Sequence, residues 1–195
     1  MAIEEINQLQ KLDLTKQLVF AYLTCERLYP NYVYFFDNFH FGDPELLREA
    51  IDYVYTSIFE ATLDKNKIDS LIKKIDKITP DTEDFSTIYV SSALDACTAI
   101  QDSLDFLIDK EFSKIIYISS YGYDTVDMYV REIENIELPD KDFLQKVAEH
   151  PLMKKELRTQ QGIITFLTKS KGIDADDIKT LLHLQENNGK SNIGL

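Results

Sequence analysis

The chain has 195 residues, of which 44% are hydrophobic and 28% are charged, a composition typical of a folded globular protein. Its formal net charge is −13, and an acidic surface repels the phosphates of nucleic acids and of anionic lipids. The sequence therefore argues against nucleic acid and membrane surfaces as partners and favours a basic protein.

Cysteine use and the N-terminal sequence predict a cytoplasmic protein. The two cysteines, Cys25 and Cys97, are too few and too far apart for a Cys-x-x-Cys metal or redox motif. The first ten residues are acidic and lack the apolar region of a signal peptide. No run of about eighteen apolar residues is present to span a membrane. In the cytoplasm both thiols would be reduced.

The first half of the chain predicts one central helix with shorter elements around it. Ile3–Leu12 is a short amphipathic segment, and Asp13 can cap the helix that follows it. Residues 15–29 form a helix that is apolar over most of its circumference, which is typical of a core position. Pro30 suits the first turn of a new helix over residues 31–39, and Gly42 is the expected C-cap.

From Asp43 onward, the sequence alternates between stretches that predict amphipathic helices and residues that are typical of turns. Asp43 and Pro44 begin a helix over residues 44–63, as N-cap and first helical residue. Gly122 indicates either a close helix crossing or a kink. Pro139-Asp140 is a break, Gly172 is an expected C-cap and Asp174 an expected N-cap. The further predicted helices span residues 67–78, 86–108, 111–136, 141–149, 152–170 and 175–186.

These elements predict an all-α fold. Six glycines and five prolines are few for a protein built of many strands and turns, and the connections are short. We expect a single-domain multi-helix bundle of about eight to nine helices over residues 1–190. Residues 191–195 form a C-terminal tail, either frayed or docked on the domain or on a partner.

One string gives the chain a family resemblance. Residues 25–32 read CERLYPNY, and the sequence here resembles the YjaG-like bacterial family, a domain of unknown function. Shorter matching pieces are Phe41-Gly42-Asp43, Asp95-Ala96-Cys97 and Ser191-Asn192-Ile193-Gly194-Leu195. The resemblance implies an all-helical bacterial cytoplasmic protein, with a signalling link through histidine kinases and no established catalytic or cofactor residue. The chain departs from the family mainly over residues 119–142, where the resemblance supports no site.

The cysteines and Arg27 each have a structural and a functional interpretation. Cys25 and Cys97 lie on the apolar stripes of their helices and are expected to be buried core residues, although a cysteine beside Glu26 and Arg27 could be reactive. Arg27 could bind a carboxylate or phosphate, since its guanidinium is a planar fork. The structural alternative, which we favour, is a pair with an acid on a neighbouring helix.

Two carboxylate patterns raise the possibility of a metal or a docking surface. Asp37 and His40 share a helical face, but a di-iron bundle needs two Glu-x-x-His motifs and two further glutamates, and the sequence has no second copy. We therefore expect His40 to cap or pack near the Phe41-Gly42 turn. Asp95, Asp102, Asp105 and Asp109 form the acidic face of the helix predicted at residues 86–108. This face could bind a basic partner or a cation, but we expect it to be an ordinary solvated surface.

The absence of catalytic motifs favours a binding protein over an enzyme. No Walker-type loop, GxGxxG, HExxH, GxSxG or zinc-finger spacing occurs, so no metal or cofactor is expected. We predict a protein-binding or adaptor role linked to histidine-kinase signalling. The alternatives are a small-molecule- or metal-binding enzyme near Arg27, Asp37 and His40, and a purely structural homo-oligomer. The candidate binding residues are Glu26, Arg27, Tyr29, Asn31, Asp37, His40, Asp43 and Asp95.

Overall fold

The computed structural model describes residues 3–136, 142–185 and 188–195. Within those ranges the chain forms nine α-helices and no β-strand, which confirms the predicted all-α bundle. The helices are α1 Ile3–Gln10, α2 Leu14–Phe39, α3 Pro44–Ser57, α4 Lys65–Ile78, α5 Tyr89–Asp109, α6 Phe112–Ile133, α7 Phe143–Glu149, α8 Pro151–Lys169 and α9 Ala175–Leu184. In the described part of the chain, no helix is both long and apolar enough to span a membrane.

The core is organised around α2. This helix packs most extensively against α5, and α5 in turn packs along α6. Buried side chains of α2 lie on several sides of the helix, which confirms the prediction of a central element; among them are Val19, Phe20, Leu23, Cys25 and Leu28. Burial on several sides requires neighbours on several sides, so α3, α6 and α8 also contact α2.

The predicted break at Pro30 is wrong, because α2 runs through it to Phe39. Proline removes one backbone N–H donor and usually kinks or ends a helix. Here Asn31, Tyr32 and Phe35 beyond the proline are buried, so packing sustains the helix on both sides of it. The helix ends at His40, which has a φ of 54° and whose backbone N–H donates to the Phe36 carbonyl. His40, and not Gly42, is therefore the C-cap.

Aspartate side chains begin α2, α3 and α9, as the sequence predicts. Asp13 accepts a hydrogen bond from the Lys16 N–H, and Asp43 accepts one from the Leu46 N–H. Asp174 forms a capping box with Asp177 at the start of α9. Each carboxylate satisfies backbone donors that the helix itself leaves unpaired.

Among the helix ends that differ from prediction are the C-terminal ends of α3 and α8. α3 stops at Ser57 instead of residue 63, and the Ser57 hydroxyl donates to the Tyr53 carbonyl at 2.7 Å. Such hydroxyl contacts compete with helical hydrogen bonds at a terminus. α8 is capped by Ser170 and not by Gly172. The predicted break at Pro139-Asp140, the start of the seventh helix at Lys141 and the end of the last helix near Glu186 lie outside the described residues.

Gly122 is the site of a close helix crossing and not of a break. α6 is continuous through it, and a Cβ atom there would lie 2.5 Å from Oε1 of Glu156 on α8. A real Cβ does not approach an oxygen that closely, so only glycine lets the Glu156 carboxylate reach the surface of α6 at this point. The crossing sets the distance between α6 and α8.

The C-terminal tail is docked on the helices. Ser191, Asn192 and Ile193 are each 5% exposed or less, and Ile193 packs with Val126 and Val130 of α6. The Ser191 N–H donates to the main-chain oxygen of Leu195 at 2.8 Å, which closes the tail into a compact turn. Residues 191–195 therefore take part in the packing of the bundle.

Candidate functional site

Arg27 lies in the protein interior and forms an ion pair with Glu156 of α8. Its Nε donates to Oε2 at 3.0 Å and its Nη2 donates to Oε1 at 2.9 Å, and both side chains are 1% exposed. Such two-pronged geometry suits the planar guanidinium. The structure therefore gives Arg27 the partner that the structural interpretation of the sequence predicts, an acid on a neighbouring helix.

Further polar groups surround this pair and complete its hydrogen bonding. Gln160 donates to Glu156 Oε1 at 2.7 Å, and its carbonyl accepts from the Ser119 hydroxyl at 2.7 Å. Arg27 Nη1 donates to the Oε1 of Gln185 at 3.4 Å. We call Arg27, Glu156, Gln160, Ser119 and Gln185 the Arg27 network. It joins α2, α6 and α8 to the residue that follows α9.

A pair of side-chain amides, Asn31 and Asn192, begins one turn further along α2. Asn31 is fully buried and its Nδ2 donates to the Asn192 Oδ1 at 3.1 Å. Asn192 then donates to the carbonyl of Gly122 at 2.9 Å. Asn31 thus holds the docked tail against α2 and α6.

Glu26 and Tyr29 lie at the edge of the same helix and contact Arg48 of α3. Arg48 donates to both Glu26 oxygens, at 2.9 and 2.7 Å, and its guanidinium lies 5.3 Å from the centre of the Tyr29 ring. The Tyr29 hydroxyl donates to the Pro44 carbonyl at 3.2 Å. Both side chains are occupied by contacts within the chain that fix α3 on α2.

Asp37, His40 and Asp43 are exposed and do not join Arg27 in one site. Asp37 and His40 are exposed near the end of α2, about 15 and 20 Å along the helix from Arg27 at 1.5 Å per residue. Asp43 is the exposed N-cap of α3. Because Arg27 is buried against Glu156, these side chains do not converge on one pocket with it. No group of three or more His, Cys, Asp and Glu side chains able to hold a metal occurs among the described residues.

Both cysteines are buried core residues. Cys25 and Cys97 are fully buried, and burial raises the pKa of each thiol to about 12. The Cys25 sulfur contacts the Ser103 hydroxyl at 3.2 Å. Because the thiolate is the reactive form, a thiol with so high a pKa is inert.

The acidic face of α5 is more engaged than the solvated surface that the sequence predicts. Asp102 is 8% exposed and accepts hydrogen bonds from Lys114 Nζ at 2.8 Å and from the Tyr121 hydroxyl at 2.9 Å. Lys114 also contacts Asp105 at 3.1 Å. The carboxylate of Asp109 accepts the Glu111 N–H at 2.8 Å. This part of the face holds α5 against α6.

Asp95 is the exception on that face. It is half-buried and accepts a hydrogen bond from the Thr125 hydroxyl at 2.7 Å. Burial raises the pKa of its carboxyl to about 7, and the nearby Asp124 charge adds to the rise. Neither aspartate has a lysine or arginine partner within 4 Å in the described part of the chain. Near neutral pH a cation at this point would favour the ionised form.

Beside Asp95, α6 carries an exposed apolar stripe. Tyr117 is 51% exposed and Met128 is 50% exposed. At 100° per residue these two side chains lie within about 20° of each other around the helix and about 16 Å apart along it. Tyr121 and Asp124 fall between them on the same side. We call Tyr117, Tyr121, Asp124 and Met128 the α6 face.

Sequence reasoning missed Glu156, Gln160 and Gln185. Glu156 and Gln160 share the buried stripe of α8 with Met153, Ile163 and Leu167, so they are polar residues at apolar positions. That pattern is the signal that could have found them, because a buried polar group needs a partner. Gln185 follows the last helical residue of α9 and carries no comparable signal.

Comparison with known proteins gives matches along nearly the whole chain. Residues 4–195 match the family model described as "Protein of unknown function (DUF416)". The chain is 27% identical over 189 residues to "Uncharacterized protein YjaG" of Escherichia coli (strain K12), which covers 96% of this chain and 94% of that protein. It is 24% identical over 191 residues to an "Uncharacterized protein" of Haemophilus influenzae, which covers 97% and 95% respectively.

A solved structure gives the same result. The crystal structure of a DUF416 family protein from Shewanella baltica OS155 matches the fold with a TM-score of 0.89 at 29% sequence identity. The match covers 100% of this chain and 98% of that chain, so the two proteins share their helical arrangement throughout.

Proposed function

Because this chain belongs to the DUF416 family, whose members are described as proteins of unknown function, we propose a function from its own surface: a non-enzymatic adaptor role. In this role the α6 face binds a basic amphipathic segment of another protein. The family match also confirms the resemblance found at residues 25–32. The observation that carries the proposal is the exposed stripe of Tyr117 and Met128 beside Asp124 and Asp95, which have no lysine or arginine within 4 Å in the described part of the chain.

The buried charged groups are paired within the chain, and this favours a binding protein over an enzyme. Arg27, Glu26 and Asp102 each have strong partners within the chain. A catalytic site needs a nucleophile, base or electrophile within reach of a substrate. The Arg27–Glu156 pair is 1% exposed, and the two thiols are buried, so these groups are removed from substrate.

The charges around the α6 face indicate which kind of partner would bind there. Lys114 lies near one end of the α6 face and Arg131 lies beyond the other, but their charges are balanced by Asp102 and Asp127. In the middle of the face, Asp124 and Asp95 have no such lysine or arginine pair in the described part of the chain, so these acidic groups favour a cationic partner. A helix with apolar residues on one side and lysine or arginine beside them would match both the stripe and the charge.

Tyr121, Asp124 and Met128 fall within residues 119–142, where the family resemblance supports no site. The proposal therefore depends on the surface of this chain alone. The signalling link implied by the family resemblance remains a prediction, which can be tested by adding purified histidine-kinase domains to the same assay.

A labelled model peptide provides the test. We expect an amphipathic Lys/Leu helix of about eighteen residues to bind the wild-type protein in a fluorescence anisotropy titration. The Tyr117→Ser/Met128→Ser variant should bind it about tenfold more weakly. Phe59→Ser is the matched control, since Phe59 is 48% exposed but lies outside the α6 face. An acidic peptide of the same pattern should not bind.

Equal affinity of the wild-type and double-variant proteins would contradict the proposal. Self-association gives a second way to contradict it. If analytical ultracentrifugation shows a dimer that dissociates in the double variant, the α6 face binds a second copy of the chain. That outcome would support the structural oligomer instead of the adaptor.

A further inference from the structure

We propose that Met128 is a site of reversible oxidation, where a peroxide converts the thioether to a sulfoxide and so weakens binding at the α6 face. This inference rests on the function proposed above, because it describes the regulation of the same surface. The argument starts from the positions of the sulfur atoms. The sequence has three methionines and two cysteines, and Met1 lies outside the described residues.

Met128 carries the one exposed sulfur of the described chain. The residue is 50% exposed, whereas Met153, Cys25 and Cys97 are each 0% exposed. A peroxide dissolved in water therefore has direct access to the Met128 side chain. It can reach the other three sulfur atoms only when the helices around them separate.

The buried cysteines do not compete for the oxidant. A thiol reacts as its thiolate, and burial raises the pKa of Cys25 and of Cys97 to about 12. A thioether has no proton to lose, so the oxidation of a methionine depends mainly on access to its sulfur. In the folded protein, exposure therefore selects Met128.

The reaction transfers one oxygen atom. A lone pair of the Met128 Sδ attacks one oxygen of hydrogen peroxide, the O–O bond breaks and an S–O bond forms. The hydroxide that leaves takes the proton from the transferred oxygen and becomes water. The sulfur loses two electrons and the peroxide gains them. Methionine sulfoxide reductases reverse this change, so the modification can be repeated.

The sulfoxide would change the binding properties of the α6 face. Met128 and Tyr117 are its two half-exposed large side chains, and a partner would cover their apolar surface. Oxidation turns the flexible apolar side chain of methionine into a polar one. A partner that covers the sulfoxide with apolar groups removes its oxygen from water without offering a donor, and this opposes binding.

Met153 illustrates the opposite case. It packs with Val126, Val130 and Val147 in a small apolar cluster of the bundle. An oxygen added to its sulfur would be buried without a hydrogen-bond donor and would destabilise the fold. Oxidation of Met153 would therefore damage the protein, whereas oxidation of Met128 alters a surface and leaves the packing of the helices intact.

The first measurement locates the oxidation. The folded protein is treated with dilute hydrogen peroxide, the peroxide is removed, and the protein is digested for mass spectrometry of its peptides. We expect one added oxygen at Met128 and none at Met153. In urea, where the helices separate, both should be oxidised. Equal oxidation of the two residues in the folded protein would contradict the inference.

The second measurement repeats the anisotropy titration with the Lys/Leu peptide, which contains no sulfur. Peroxide treatment should weaken peptide binding by the wild-type protein about tenfold. Methionine sulfoxide reductase should restore the affinity. Circular dichroism should be unchanged by the treatment, which separates an altered surface from an unfolded protein.

Two variants show whether Met128 is responsible. Each is compared with itself before and after peroxide. Met128→Leu has no sulfur at this position, so its affinity should not change on treatment. Met153→Leu is the matched control, since the two side chains are similar in volume, and it should lose affinity as the wild type does. Both variants keep Met1, so an effect of Met1 would appear equally in both.

The outcomes separate this inference from the adaptor role. If the treated wild type binds the peptide as tightly as the untreated protein, or if peroxide weakens Met128→Leu equally, the oxidation switch is wrong and the adaptor role stands. If the untreated wild type does not bind the peptide, the adaptor role is wrong and the switch is wrong with it.

Discussion

The Arg27 network and the α6 face both combine charged groups with large side chains, but they differ in where the partners of those charges come from. In the network, Glu156 neutralises Arg27 and Gln160 and Ser119 complete the hydrogen bonding. On the α6 face, Asp124 and nearby Asp95 have no lysine or arginine within 4 Å in the described part of the chain, and Tyr117 and Met128 are half exposed.

This difference distinguishes the charged residues that hold the helices together from those that are available to bind another molecule. The CERLYPNY string contains charged and aromatic residues that suggest a site, yet the structure uses Arg27, Glu26 and Asn31 to join helices. A buried ion pair gives little net stability over a well-packed apolar pair, but it is costly to break. Such a pair specifies which helices meet, whereas the α6 face is the surface that we propose for binding.

The largest expected effect comes from breaking the ion pair. Arg27→Met leaves the Glu156 carboxylate buried and uncompensated, so the free energy of unfolding should fall by about 3–5 kcal/mol in urea denaturation. Arg48→Met removes a pair whose side chains are 29% and 20% exposed, and should cost about 1 kcal/mol. If both substitutions lower the free energy of unfolding by the same amount, the contrast between the buried and the partly exposed ion pair is wrong.

A smaller effect is expected at the helix crossing. Gly122→Ala places a Cβ against Glu156 and Gln160, and should lower the free energy of unfolding by about 2 kcal/mol although alanine favours helices. Gly162→Ala in α8 is the control, since the nearest atom there is Cδ2 of the flexible Leu184 side chain at 3.0 Å. If Gly122→Ala proves as stable as Gly162→Ala, α6 and α8 are not held at this distance.

The smallest of the three effects concerns Asp95 and depends on pH. Its folded pKa of about 7 lies above the ordinary value of 3.8, so between these values the folded state keeps a proton that the unfolded state loses. Stability should therefore fall as pH rises from about 4 to 7 and then level off. Between pH 6 and 8, urea denaturation should show the wild type losing about 1–2 kcal/mol relative to Asp95→Asn.

Exposed Asp69 on α4 provides the control for that measurement. Asp69→Asn should follow the wild-type pH dependence. The groups that bear on Asp95 are Asp124, Tyr121 and the Thr125 hydroxyl that donates to it. A parallel pH dependence of the wild type and Asp95→Asn would show that the Asp95 carboxylate is as well solvated as an ordinary surface group.

The sequence predicts the parts of the fold that depend on local chemistry. Helical periodicity identifies α2 as central, aspartates mark helix starts, and Gly122 indicates a close crossing. The prediction from sequence fails at Pro30. Proline usually ends a helix, but the burial of Tyr32 and Phe35 sustains α2 beyond it. Packing between distant elements decides that case, and one sequence does not display packing.

The same limit applies to the candidate site. An acid partner for Arg27 is predictable from its place on a buried helix, but the identity of Glu156, 129 positions away, is not. The orphaned amide of Gln185 depends on where Arg27 places its donors, so it becomes visible only with the bundle assembled. The exposed position of Tyr117 and Met128 likewise depends on which side of α6 its neighbours cover.

The two buried thiols give the bundle an internal reporter of its own opening. Cys25 on α2 and Cys97 on α5 lie in the helix pair with the most extensive packing, and neither is accessible or ionised in the folded state. An alkylating reagent can reach them only when these helices separate. The rate of covalent labelling therefore measures how often the centre of the molecule opens, without any probe being introduced.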